Sequence, residues 1–239
     1  MSLIFIFVCG STASAQVMSV SDLRDVSPTA EYYADLKSLV DYGIVGNDLI
    51  VAREDTLPPS KEPIGSMFYP ETKVTNRQLV FLFDGSLSYL KDVIDNFKLP
   101  DGLDPAAKYA MMQDLRKSIN RKPLSKLILY TTKDVVGLKM TFEEAFALAS
   151  LVDRHKLGAD VLNADGVYDR FRRLSEKEIS NILGNALLVR PTCVKTRCSI
   201  GNLQLNYRNA TVTRGRLVRI LNKYLEVHIE KLNTIINRK

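Results

Sequence analysis

An apolar residue, then a threonine, then a helix with apolar positions four, seven and eight places further on: this pattern occurs three times in the chain. The copies are Val74-Thr75 with Leu79, Leu82 and Phe83; Met140-Thr141 with Ala145, Leu148 and Ala149; and Val212-Thr213 with Leu217, Ile220 and Leu221. A threonine at a helix start accepts a hydrogen bond from an N–H of the first turn, and the apolar residue before it staples onto the fourth helical position. Gln78 and Glu144 complete a capping box in the first two copies, whereas Arg216 stands in that place in the third. Recurrence at positions 75, 141 and 213 predicts stacked units, because one helix pair cannot bury its own apolar face.

A second helix precedes the threonine helix. Tyr32, Tyr33, Leu36, Leu39 and Val40 fall at helical spacing, and Gly43 supplies the C-terminal cap. The same spacing returns in Ile179, Ile182, Leu183, Ala186, Leu187 and Leu188 at an offset of 143 residues, which lays Ala186 on Gly43. Pro58, Pro59, Pro63, Gly65 and Pro70 make residues 46–73 read as a long loop. In the middle of the chain a helix is expected over 106–119, ended by Lys122-Pro123 with no closing glycine, so this copy is degenerate. The fold class expected is mainly α, three helix-loop-helix units at 16–100, 101–160 and 161–228, followed by an amphipathic tail over 229–239.

The first fifteen residues stand apart from these units. Leu3 to Val8 form an apolar run, and Ala13-Ser14-Ala15 fits the small-x-small rule for cleavage before Gln16, so residues 1–15 read as an export signal without a basic lead. The run is too short to span a bilayer, and Val8 is too bulky to precede a lipidated Cys9. The mature chain then keeps Cys193 and Cys198, an even pair that in an exported protein reads as a disulfide. The competing reading, half of a zinc site, needs two more ligands, and the two histidines, His155 and His228, lack metal-like spacing.

Asp25-Val26, Tyr33-Ala34, Leu39, Gly43-Ile44, Phe68, Pro70 and Val74-Thr75 together resemble the S-layer homology family. That pattern opens with an aromatic-x-Asp-Val, passes a Trp-Ala helix start and a Leu-x-x-x-Gly-Ile turn, and ends Phe-x-Pro and Ile/Val-Thr-Arg-Ala-Glu. The resemblance covers most of the first unit, both helices of the third and little of the second beyond its threonine helix. It implies a pseudo-trimer of three units that binds cell-wall polysaccharide in grooves, with the motif arginine and the opening acidic residue helping to form them. Leu23 replaces the opening aromatic, while Asn76 and Phe142 take the arginine place in units one and two; Arg214 holds it in unit three. The candidate ligand contacts are accordingly Arg214, its neighbour Arg216, Asp25, Tyr33 and Arg77, the last standing one place late and reading first as a surface residue of its helix turn.

Composition narrows the function classes. A 46% hydrophobic fraction and a mean hydropathy of −0.06 belong to a chain that buries a core. The net charge of +6 and pI near 9.1 fit either attraction to an anionic polymer or a set of solvated helix faces. No Gly-rich phosphate loop, His-Glu-x-x-His or Gly-x-Ser-x-Gly is present, so no catalytic residues, metal or cofactor are expected. Export makes nucleic acid an unsuitable partner, and no transmembrane span is expected in the mature chain. Two functions fit: binding of cell-wall polysaccharide or peptidoglycan, or a structural role among other envelope proteins at the periplasm or cell surface with sugar binding lost.

Overall fold

A computed structural model describes residues 19–46, 51–52, 66–74, 76–124, 127, 174–208 and 211–237. The expected export signal and the Thr141 helix of the middle unit lie outside these residues, as do Thr75 and the side chains of Asn76 and Arg77. The protein is mainly α, with five α-helices among the described residues: α1 Tyr33–Asp41, α2 Asn76–Asp95, α3 Pro105–Lys117, α4 Glu176–Leu187 and α5 Arg214–Asn237. None of the described helices is long and apolar enough to cross a membrane.

Four of the helix ends follow from local sequence signals. Gly43 (φ 68°) ends α1 in the left-handed region, with Gly43 N–H donating to Val40 O and Ile44 N–H to Leu39 O. These are the two bonds of a Schellman cap. Asp104 caps α3 by accepting from Ala107 N–H at 2.8 Å, and Pro105 follows it in the first turn, where a missing N–H costs nothing. At α4 the Ser175 hydroxyl accepts from Glu178 N–H while Glu178 reaches back to Ser175 N–H, a complete capping box. In α5, Thr213 Oγ1 accepts from Arg216 N–H at 3.4 Å, the cap its position predicts.

The register expected for α4 is corrected by its C-terminus. Ala186 does not play the part of Gly43; it is buried inside α4, and Leu188 (φ 50°) carries the left-handed turn two residues later. Gly184 lies next to this turn, and its missing side chain is needed: a Cβ would stand 2.8 Å from Val189 O.

Two of the connections contain β-strands, where a long loop was expected for the first. β1 (Val51–Ala52) pairs antiparallel with β2 (Ser66–Met67) between α1 and α2. Between α4 and α5, β3 (Thr192–Val194), β4 (Arg197–Ile200) and β5 (Leu203–Leu205) form an antiparallel meander. Lys195 (φ 55°) and Gly201 (φ 53°) supply the left-handed residues that two-residue hairpins require. Cys193 and Cys198 face each other across the first hairpin and are joined by a disulfide, which removes the zinc alternative. The first and last parts of the chain thus share an order of helix, hairpin, helix.

These two parts meet where their threonine helices begin. Val74 N–H donates to Val212 O at 3.0 Å, Arg214 N–H donates to Thr72 O at 2.9 Å, and Lys73 bridges Thr213 antiparallel. Val74 therefore lies opposite Val212, its counterpart in the recurring pattern.

At 24 residues, or about 36 Å of helix, α5 is the spine of the structure. Leu217, Val218, Ile220, Leu221, Tyr224 and Leu225 are all fully buried, against Leu36 and Leu39 of α1 and the buried faces of α4 and the meander. The boundary expected at 228/229 falls inside this helix. Residues 229–237 are no separate tail: Leu232 and Ile236 form a small second core with Ile94 of α2 and Leu115 of α3.

Candidate functional site

Asp25 and Arg214 are brought together by the strap Phe68–Val74, which runs from β2 to α2. The Asp25 carboxylate accepts from both Phe68 N–H (2.8 Å) and Tyr69 N–H (2.5 Å). Arg214 Nη1 donates to Phe68 O at 2.9 Å. One peptide segment is thus gripped by an acid from the start of the chain and a base from the last helix. All three are charge-assisted bonds, the stronger kind. Phe68 itself is fully buried, its ring 6.0 Å from that of Tyr32.

The strap also completes the start of α5. Its carbonyls at Pro70 and Thr72 accept the first-turn N–H groups of Gly215 and Arg214, at 2.9 Å each. Approach this close requires glycine, since a Cβ at 215 would meet Tyr32 Cδ1 at 3.0 Å and Pro70 at 3.4 Å. Tyr69 sits in the left-handed region (φ 54°), uncommon for a non-glycine residue, and the residue is 41% exposed.

Electrostatically, Arg214 is only 7% exposed, and burial lowers its pKa while Asp25 and the Tyr69 hydroxyl act in the opposite direction. The Tyr32 hydroxyl is pushed up by burial and then by the charges of Asp25 and Glu71. A cation in the first turn of a helix opposes the helix dipole. Here the carboxylate of Asp25, supplied from elsewhere in the chain, offsets that cost.

Arg216, on another side of the same turn, has a different environment. Its Nε donates to Glu176 Oε2 at 3.0 Å and its Nη2 to Glu176 Oε1 at 2.7 Å, the bidentate fork geometry. Nη2 also reaches Gln204 O at 2.6 Å, and Asn206 N–H donates to Glu176 Oε1 at 2.5 Å. The Glu176 side chain is 2% exposed and that of Arg216 24%. Beside this pair lies an open cleft of about 610 Å³, whose polar lining includes Gln204, Asn206, Thr211 and Thr213.

Of the other residues singled out by the sequence, Tyr33 is half-buried and packs against the core on α1. The side chain of Arg77 lies outside the described residues. Glu176 was not expected. Its place was readable from Ser175-x-x-Glu178, a capping box whose first helical residue is Glu176, but no local pattern gives its partner 40 residues away. The strap as a ligand of both Asp25 and Arg214 was equally invisible.

The α1–α5 contact carries a polar network as well. Asp35, 7% exposed, accepts from Asn222 Nδ2 at 2.8 Å and lies 3.7 Å from Lys223 Nζ, while Arg219 pairs with Glu31. Among the described residues no group of three or more His, Cys, Asp or Glu is placed to hold a metal ion. No family model, curated protein or solved structure matches the chain.

Proposed function

We propose that this chain is an exported, non-catalytic envelope protein that binds cell-wall polysaccharide or peptidoglycan through three S-layer-homology-like units arranged as a pseudo-trimer, the third running on through α5. The supporting observation is the meeting of Asp25 and Arg214 on one strap. The family resemblance gives groove-forming parts to the acid of the opening motif and to the arginine of the threonine helix. These two residues, far apart in sequence, hold the same peptide here. Because both are spent on the strap, their role is to position it. What the strap presents to a ligand is Tyr69, an exposed residue whose aromatic ring is of the kind on which the C–H face of a sugar ring rests.

A second reading is a structural subunit of an envelope assembly, acting through protein–protein contacts with sugar binding lost. It is favoured by the internal use of the charged groups: Asp25 is bonded to Phe68 and Tyr69, and Arg216 to Glu176.

Co-sedimentation of the chain, without residues 1–15, with purified sacculi separates the two readings. Retention on sacculi that weakens for Tyr69→Asn, a change that tolerates the left-handed backbone, supports glycan binding. Comparing sacculi before and after removal of linked polysaccharide then tells polysaccharide from peptidoglycan. No retention on either preparation sinks the glycan reading, and co-purification at fixed stoichiometry with envelope proteins supports the assembly reading in its place.

A further inference from the structure

The cleft beside Arg216 has a chemistry distinct from that of the Asp25–Arg214 strap. Among the described residues, Glu176 and Arg216 are the charged ones of its lining, and they neutralise each other through two hydrogen bonds. An anion arriving at Arg216 meets the field of a carboxylate already bound a few ångströms behind it, and the two largely cancel. The remaining polar lining is neutral: the amides of Gln204 and Asn206 offer donors and acceptors, and the hydroxyls of Thr211 and Thr213 offer both. Arg216 has Nε and Nη2 engaged with Glu176 and Gln204 O, which leaves Nη1 as a donor for a ligand.

The clamp also fixes the cleft wall. Glu176 at the start of α4 accepts from Asn206 N–H just after β5, and Arg216 in the first turn of α5 donates to Gln204 O on β5. Three elements are thereby locked around one opening, so the amides and hydroxyls project from a pre-formed wall.

We propose that this cleft is a glycan subsite for a neutral saccharide unit bearing hydroxyl and acetamido groups. The proposal rests on the wall-glycan reading and narrows it: whatever the net charge of +6 attracts at long range, the unit seated here is uncharged. Mixed donors and acceptors with no net charge match hydroxyl and acetamide groups, each of which both gives and takes hydrogen bonds.

The test is isothermal titration of the chain with tetra-N-acetylchitotetraose, a neutral acetamido oligosaccharide, and with tetragalacturonate, an acidic one of equal length. The neutral oligomer is expected to bind with a Kd that moves less than about twofold between about 50 mM and about 500 mM NaCl, since no unpaired charge takes part. Gln204→Ala and Thr211→Val, both at surface positions, should each weaken it about fivefold, the effect of one lost hydrogen bond. Neutral binding that ignores both substitutions overturns the cleft as its site. Preference for the acidic oligomer, with affinity falling as salt rises, overturns the neutral ligand and leaves the wall-glycan reading standing. Failure of both oligomers while sacculi still retain the chain removes the subsite alone, and failure of oligomers and sacculi together removes both.

Discussion

His228 makes the stability of this protein depend on pH in a calculable way. The imidazole is fully buried on α5, where it meets the C-terminal ends of α3 and α4. Nδ1 lies 2.8 Å from Leu187 O, a group that only accepts, so Nδ1 carries the proton of the neutral ring. Nε2 is 3.3 Å from Ser118 Oγ, whose single proton is also drawn to Leu115 O at 2.5 Å. A protonated ring is therefore well bonded too, donating through Nε2 to the Ser118 oxygen. Burial nevertheless outweighs this: it takes the pKa from 6.5 to about 4, with the Leu187 bond acting upward and the charge of Lys231 downward.

The sign follows from which state takes the proton first. The unfolded chain protonates His228 near 6.5, the folded chain at about 4. Between those values the unfolded state alone is stabilised by the proton, so the contribution is fully present above 6.5 and is lost as pH falls toward 4. The loss runs at about 1.4 kcal/mol per pH unit and totals about 3 kcal/mol. Urea unfolding of the chain and of His228→Gln from about pH 7.5 to about pH 4 isolates it, because every carboxylate is common to both proteins and cancels in the difference. Glutamine keeps a donor for Leu187 O and an acceptor for Ser118, so the variant folds and lacks only the titration. The stability of the native chain relative to the variant should fall by about 3 kcal/mol as pH drops across that window. Parallel curves refute the reasoning, as does a His228 imidazole NMR signal that titrates near 6.5 in the folded chain. The chain has two histidines, so that spectrum carries two signals to assign.

Glu176→Gln and Arg216→Met should each cost about 3 kcal/mol, because each leaves its partner unpaired beside the core. The double variant should cost little more than either single change, and additive losses in a double-mutant cycle by urea unfolding would show that the two do not act as a pair. Reduction of Cys193–Cys198, which closes a loop with a sequence separation of 5, should remove about 2 kcal/mol from thermal or urea stability. A reduced chain as stable as the oxidised one would place the whole constraint in the hairpin's own register.

What the sequence disclosed and what it withheld divide along the range of the interactions involved. Gly43 announced the end of α1 because a left-handed cap is a local demand, and Thr213 announced α5 because its hydroxyl bonds an N–H three residues on. The mainly α class followed from apolar spacing, and the cysteine pair from its parity. The register of α4 was misjudged because Ala186 fits the apolar spacing as well as a helix end does; the deciding contact is at Gly184, whose lack of a Cβ lets Val189 O fold back against the helix. The β3–β5 meander escaped because its strands are three or four residues long, below the length at which alternation stands out from chance. The site was the least legible part for the same reason. Asp25, Arg214 and Arg216 could be picked out as charged residues at motif positions, but their partners are a backbone strap and a glutamate from other parts of the chain. Arg216 is the instructive residue: where a helix start favours an acid, this chain has a base, and the acid that answers it stands in the first turn of α4. A local cap is thereby replaced by a bond between helices, and among the described residues the cleft beside α5 carries no net charge.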